Sequence, residues 1–128
     1  IEGAFVSPTI YEVLHNDKKN QEEIFGPILS VIEVDSNDEA IQLANDTVYG
    51  LTASVFSGNI RKALRAAKEV RAGTVAINCY GEGSVSTPFG GYKQSGFGGR
   101  DKGIHAHDQY TELKTIWIDL NDPNNAED

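Results

Sequence analysis

At 128 residues the chain has the length of one domain, and its 19 acidic against 11 basic residues leave a formal charge of -8. Such a surface repels phosphate backbones, which argues against nucleic acid as a partner. No apolar run approaches the roughly 18–20 residues of a membrane span, no leader is visible in "IEGAFVSPTIY", and the single cysteine, Cys79, excludes an internal disulfide.

One cysteine fits a reducing compartment, and a cytoplasmic location is expected. The chain contains no methionine and opens directly on a strand-like run, so it reads as a piece of something longer. Residues 4–11 ("AFVSPTIY") read as that strand, with Pro8 marking an edge or a break. Residues 12–26 are polar and loop-like. Pro27 introduces 28–34 ("ILSVIEV"), a nearly continuous apolar run expected in a strand buried on both faces. Ser36 and Glu39 match the capping-box pattern and open a helix over 38–46. Gly50 breaks it, and 51–57 form the next strand.

A second helix follows, with Ile60, Ala63, Leu64, Ala67 and Val70 on one face. Asn59 is its expected N-cap and Gly73 its C-terminal stop. Residues 74–78 ("TVAIN") are another strand. The alternation of strand and helix predicts an α/β fold of parallel βαβ units in one sheet covered by helices. Residues 81–103 carry eight glycines without periodicity, and a loop of that length is usually functional. Residues 114–120 ("KTIWIDL") read as a final strand and 121–128 as a disordered acidic tail.

Several motifs have plain readings. Arg61, Lys62, Arg65, Lys68 and Arg71 lie opposite the apolar stripe of the second helix and are expected to be a solvated face. The glycine-rich segment lacks both the Walker spacing and the G-x-G-x-x-G fingerprint. It is expected to be a conformationally demanding loop rather than a phosphate cradle. Cys79 has no base nearby in sequence and reads as a packed, inert thiol. His15, His105 and His107 have no cysteine partners, so no metal site is expected.

"EEIFGP", "ANDTVYGLTASVF", "AGTVAIN", "PFGGYKQSG" and "YTELK" occur in this order along the chain. Together they resemble the C-terminal part of the NAD(P)-dependent aldehyde dehydrogenases, over nearly the whole chain. The run "FGGYKQSG" with "RDK" and "TELKTIWIDL" is most similar to γ-glutamyl-γ-aminobutyraldehyde dehydrogenases of polyamine breakdown. The resemblance implies that residues 1–113 belong to the catalytic domain and that 114–120 are an oligomerisation strand joining a neighbouring subunit. It implies NAD or NADP as cofactor, a small aldehyde as substrate, and the missing N-terminal part of the same enzyme and further copies as partners.

By the same resemblance, Glu23 binds the hydroxyls of the nicotinamide-side ribose, a task suited to a carboxylate that accepts charge-assisted hydrogen bonds. Phe25 packs near the nicotinamide, with Gly26 and Pro27 turning the chain. Phe89 lines the aldehyde tunnel and Tyr80 lies at its mouth beside Asn78. Gly99, an extra residue in "GFGGR", puts the position of Arg100 in doubt. The family's nucleophile segment G-Q-x-C and base segment L-E-L-G-G do not occur in the chain, so it carries no catalytic residue and is expected to be inactive alone. A stand-alone, non-catalytic binding or structural module is the alternative.

Overall fold

The computed structural model describes residues 3–14, 17, 21–81 and 83–121. Two parallel strand pairs organise it. Strand β1 (Thr9–Glu12) lies beside β2 (Ile28–Val31), with Thr9 opposite Ile28 and Glu12 opposite Val31. Pro8 falls just outside the ladder, where its missing N–H costs no strand bond, and Val13 extends the pairing by donating to the Val31 carbonyl at 3.0 Å.

Helix α1 (Asn37–Asn45) starts where the sequence places it. Ser36 is extended and its Oγ accepts from the Glu39 N–H at 3.1 Å. The Glu39 carboxylate reaches back to the Asp35 N–H at 2.8 Å, one residue beyond the expected Ser36 N–H. Strand β3 (Thr52–Val55), helix α2 (Ile60–Glu69) and strand β4 (Thr74–Ile77) then form a βαβ unit, with Thr52 opposite Thr74 and Val55 opposite Ile77. Asn59 caps α2 as expected, its Oδ1 accepting from the N–H groups of Arg61 and Lys62 at 3.0 and 3.2 Å. Helix α2 packs on β3, β4 and α1.

Three expectations are corrected. Among the described residues the strands do not form one sheet: β2 pairs with β1 and β3 with β4, and 32–36 leave the ladder before α1 begins. The run at 28–34 is not covered on both faces, since Leu29 is 57% exposed and Val31 is exposed too. Gly73 does not stop α2. Val70 does so three residues earlier by turning to φ -71, ψ 126, and Gly73 has a packing role described below. Residues 114–120 have no strand partner among the described residues, and the pairing expected of them is with a neighbouring subunit. Ile116, Trp117, Ile118 and Leu120 are exposed, and of the expected disordered tail 122–128 lie outside the described residues.

The basic side chains of α2 are solvated, as their spacing predicts. Arg65 bridges Asp38 of α1 at 2.6 Å and Glu69 at 2.9 Å. The hydrogen bond to Glu69, then the charge of Asp38, raise its pKa above the usual arginine value. The cluster is exposed, so it orients the helices more than it stabilises them.

Among the described residues the buried apolar ones are Val13, Ile41, Ala63 and Ala72, and no large side chain is fully covered. The chain exposes 10948 Å². A folded monomer of 13.9 kDa exposes about 6,700 Å² by size scaling. No described helix is long and apolar enough to cross a membrane.

Candidate functional site

The site is assembled around Gly50, where the turn after α1 meets β4 and the glycine-rich segment. The Gly50 carbonyl accepts from the N–H groups of Gly73 at 3.0 Å and Tyr92 at 2.8 Å. Its own N–H donates to Ser95 Oγ at 3.0 Å. Beside it, a Cβ on Gly73 would run into the Gly90 carbonyl. Glycine is needed at position 73 because two backbones touch there, which is a different reason from a helix stop.

The glycine-rich segment is thus a docked surface rather than a free loop. Phe89 pairs with Asp101 in an antiparallel bridge, exchanging N–H···O bonds of 2.7 and 2.6 Å. The Lys102 ammonium lies 5.1 Å from the Phe89 ring centre, within cation–π range. Lys93 opens a single 3-10 turn (Lys93–Ser95) in the left-handed region, at φ 53.

Two neighbouring cavities divide the expected site residues. Tyr80 and Phe89 line one, of about 220 Å³, together with Leu51–Ser54 and Gly81. Glu23 lines the other, of about 650 Å³, with Thr47, Tyr49, Gln94 and Ser95 among its walls. Leu51, Thr52 and Ala53 are common to both, so the start of β3 is the partition between them. Among the described residues no hydrogen-bond donor occupies the Glu23 carboxylate, which is exposed at the cavity rim. An unpaired carboxylate can accept a pair of vicinal hydroxyls such as those of a ribose, so the residues present fit that part of a dinucleotide.

Other candidates fall outside this arrangement. The Phe25 ring is 91% exposed, at φ 52, and lines neither cavity. Cys79 is exposed rather than packed, because β4 ends at Ile77 and the chain turns outward through Asn78 at φ 54. Arg100 donates to the carbonyls of Gly99 and Gly98 and lies 5.4 Å from the Tyr92 ring centre. His105 and His107 are in a 3-10 turn (Ile104–Gln109), and no metal-binding cluster occurs among the described residues. His15 lies outside them.

Two asparagines organise the site through bonds that the sequence does not signal. Asn78 donates from Nδ2 to the Ser57 carbonyl at 3.0 Å and accepts on Oδ1 from the Ser57 N–H at 2.8 Å. Its amide imitates one more ladder residue and fixes the exit of β4 toward Tyr80. Asn45 donates to the Glu69 carbonyl at 2.9 Å and accepts from the Arg71 N–H at 2.7 Å, tying the ends of α1 and α2 together.

A sequence profile of the aldehyde dehydrogenase family matches residues 1–116. The chain is 64% identical over 118 residues to an aminoacetaldehyde dehydrogenase of Pseudomonas aeruginosa, covering 91% of this chain and 24% of that protein. It resembles a solved variant of the P. syringae indole-3-acetaldehyde dehydrogenase, in complex with NAD+ and IAA, at 54% identity and a TM-score of 0.82, over 91% of this chain and 23% of that one. A solved γ-glutamyl-γ-aminobutyraldehyde dehydrogenase of Burkholderia cenocepacia matches at 55% identity and a TM-score of 0.81, over 88% and 23%. The chain spans about a quarter of the length of the relatives it matches.

Proposed function

The chain belongs to the aldehyde dehydrogenase family, and from that premise we propose that it is the C-terminal segment of an enzyme oxidising an aldehyde to a carboxylate with NAD+ or NADP+. The observation that carries the reading is the paired cavities: Tyr80 and Phe89 on one side of the β3 partition, Glu23 on the other. In this reading the aromatic pair walls the aldehyde's path, excluding water from the apolar part of the substrate. The Glu23 carboxylate accepts the ribose hydroxyls and fixes how far the nicotinamide end can swing. Phe25, two residues on, offers its uncovered ring to the same end of the cofactor. When bound, NAD(P)+ supplies the hydride acceptor.

The substrate we propose carries a nitrogen along its chain, with γ-glutamyl-γ-aminobutyraldehyde as the specific choice. Relatives named for that aldehyde and for aminoacetaldehyde, at 55% and 64% identity, support the class. The nucleophile and general base lie outside this chain. Residues 114–120, apolar on both faces and exposed, serve in this reading as the strand through which copies of the enzyme associate.

The test measures NAD(P)H formation by the full-length enzyme and by the isolated chain over a panel of aminoaldehydes and simple aldehydes. The full-length enzyme is expected to turn over the nitrogen-bearing aldehydes best, and the isolated chain none. Turnover by the isolated chain that vanishes with Cys79→Ser would overturn the assignment of catalysis elsewhere. A full-length enzyme without activity on any aldehyde would overturn the function.

A further inference from the structure

We propose that Lys93 is a positioning residue for the cofactor side of the site, a role that rests on the reading of the Glu23 cavity given above. Helix α1 ends without a basic residue in its own last turn. The Lys93 ammonium supplies one from 48 residues away, donating to the Asn45 carbonyl at 2.9 Å and the Thr47 carbonyl at 3.0 Å. A cation at a helix C-terminus meets both the free carbonyls and the negative end of the helix dipole. The bonds are partly buried, which limits their screening by solvent.

Lys93 also occupies the left-handed backbone region, which a non-glycine residue keeps only where its surroundings hold it there. The two residues that follow are those that matter for the cavity. Gln94 donates its N–H to the Val48 carbonyl at 3.0 Å, and Ser95 accepts the Gly50 N–H. Both line the Glu23 cavity, and Thr47, whose carbonyl Lys93 holds, lines it too. Lys93 therefore fixes two stretches of one wall relative to each other.

The aldehyde side is anchored separately. Phe89 is held by the bridge to Asp101, and Gly90 by its contact with Gly73. Lys93 touches neither. A general loosening of the fold would disturb both sides, whereas loss of the Lys93 anchor disturbs the cofactor side first.

The experiment uses the full-length enzyme with Lys93→Met and Lys93→Arg, reading NAD+ affinity by titration, aldehyde KM by steady-state kinetics, and hydrogen exchange across residues 89–101. In Lys93→Met the NAD+ dissociation constant should rise about tenfold while the aldehyde KM moves less than about twofold. Exchange should quicken at the Tyr92 and Gln94 amides and stay slow at Phe89 and Asp101, and Lys93→Arg should restore most of the NAD+ affinity. Should Lys93→Met fail to fold, Lys93→Gln, which keeps an amide donor without the charge, carries the same comparison. Unchanged NAD+ affinity, or NAD+ affinity and aldehyde KM worsening together, would overturn the proposal. Wild-type enzyme that binds no NAD+ would instead remove the cofactor reading of the cavity, and the role of Lys93 with it.

Discussion

Glu23 lines a cavity large enough for part of a dinucleotide, and its proposed contact with the ribose makes it sensitive to a neutral replacement. A bond to a charged group is worth about 1.5–3 kcal/mol, so Glu23→Gln in the full-length enzyme is expected to lower kcat by about one to two decades. A deuterated aldehyde should then show a larger isotope effect, because the nicotinamide is held less well for hydride transfer. A folded variant with both quantities unmoved would take Glu23 out of the site. Asn78 makes the corresponding stability prediction. Asn78→Ala removes two hydrogen bonds and puts a Cβ-bearing residue without a polar group at φ 54. The expected loss is about 2–3 kcal/mol, and Asn78→Gly should lose less because glycine accepts that backbone angle. Thermal unfolding of the two variants checks the order. Glu23 and Phe89 enter from ordered motifs, and the structure places each beside a cavity. Asn78 was read at the end of the strand "TVAIN" and beside the tunnel mouth, but its bonds to Ser57 were not foreseen, because that partner is 21 positions away.

The helices show what local signals can specify. Ser36 and Asn59 cap α1 and α2 where the sequence places them, because a cap is decided by a few adjacent residues. Ser36→Ala is accordingly expected to cost about 1 kcal/mol of stability. Sheet pairing was less legible, since it depends on what lies alongside. The apolar run 28–34 and the strand-like 114–120 both advertise burial, yet the cover they call for is not among the described residues. Gly73 shows the same limit at one position: four residues after the end of α2, it resembles a helix stop, and only the approach of Gly90 reveals its role. Gly73→Ala would push the glycine-rich segment off β4. Overpacking costs about 1–3 kcal/mol or more, and here it should also abolish the paired cavities. The measurement is joint loss of stability and of turnover in the full-length enzyme; a fully active Gly73→Ala enzyme would contradict the packing.

The whole molecule is a surface in search of cover. Its 10948 Å² exceeds the size-scaled expectation by about 4,000 Å². Trp117, 91% exposed within an apolar strip, makes this measurable. The isolated chain should sediment as dimers or larger species at tens of micromolar (about the range where apolar edges associate). Dilution should then shift Trp117 emission toward the red as the strip is uncovered. A well-behaved monomer with unchanging emission would count against association through 114–120.

That uncovered surface also sets a condition on biosynthesis. At about 5–20 residues per second, the 128 residues take roughly 6 to 25 s to leave the ribosome. Leu29 and Val31 emerge early in that interval and the 114–120 strip only at its end, and no described residue of this chain covers them. Escort of these uncovered residues during synthesis is therefore expected to raise the soluble yield of the chain, which expression with and without added chaperone would measure.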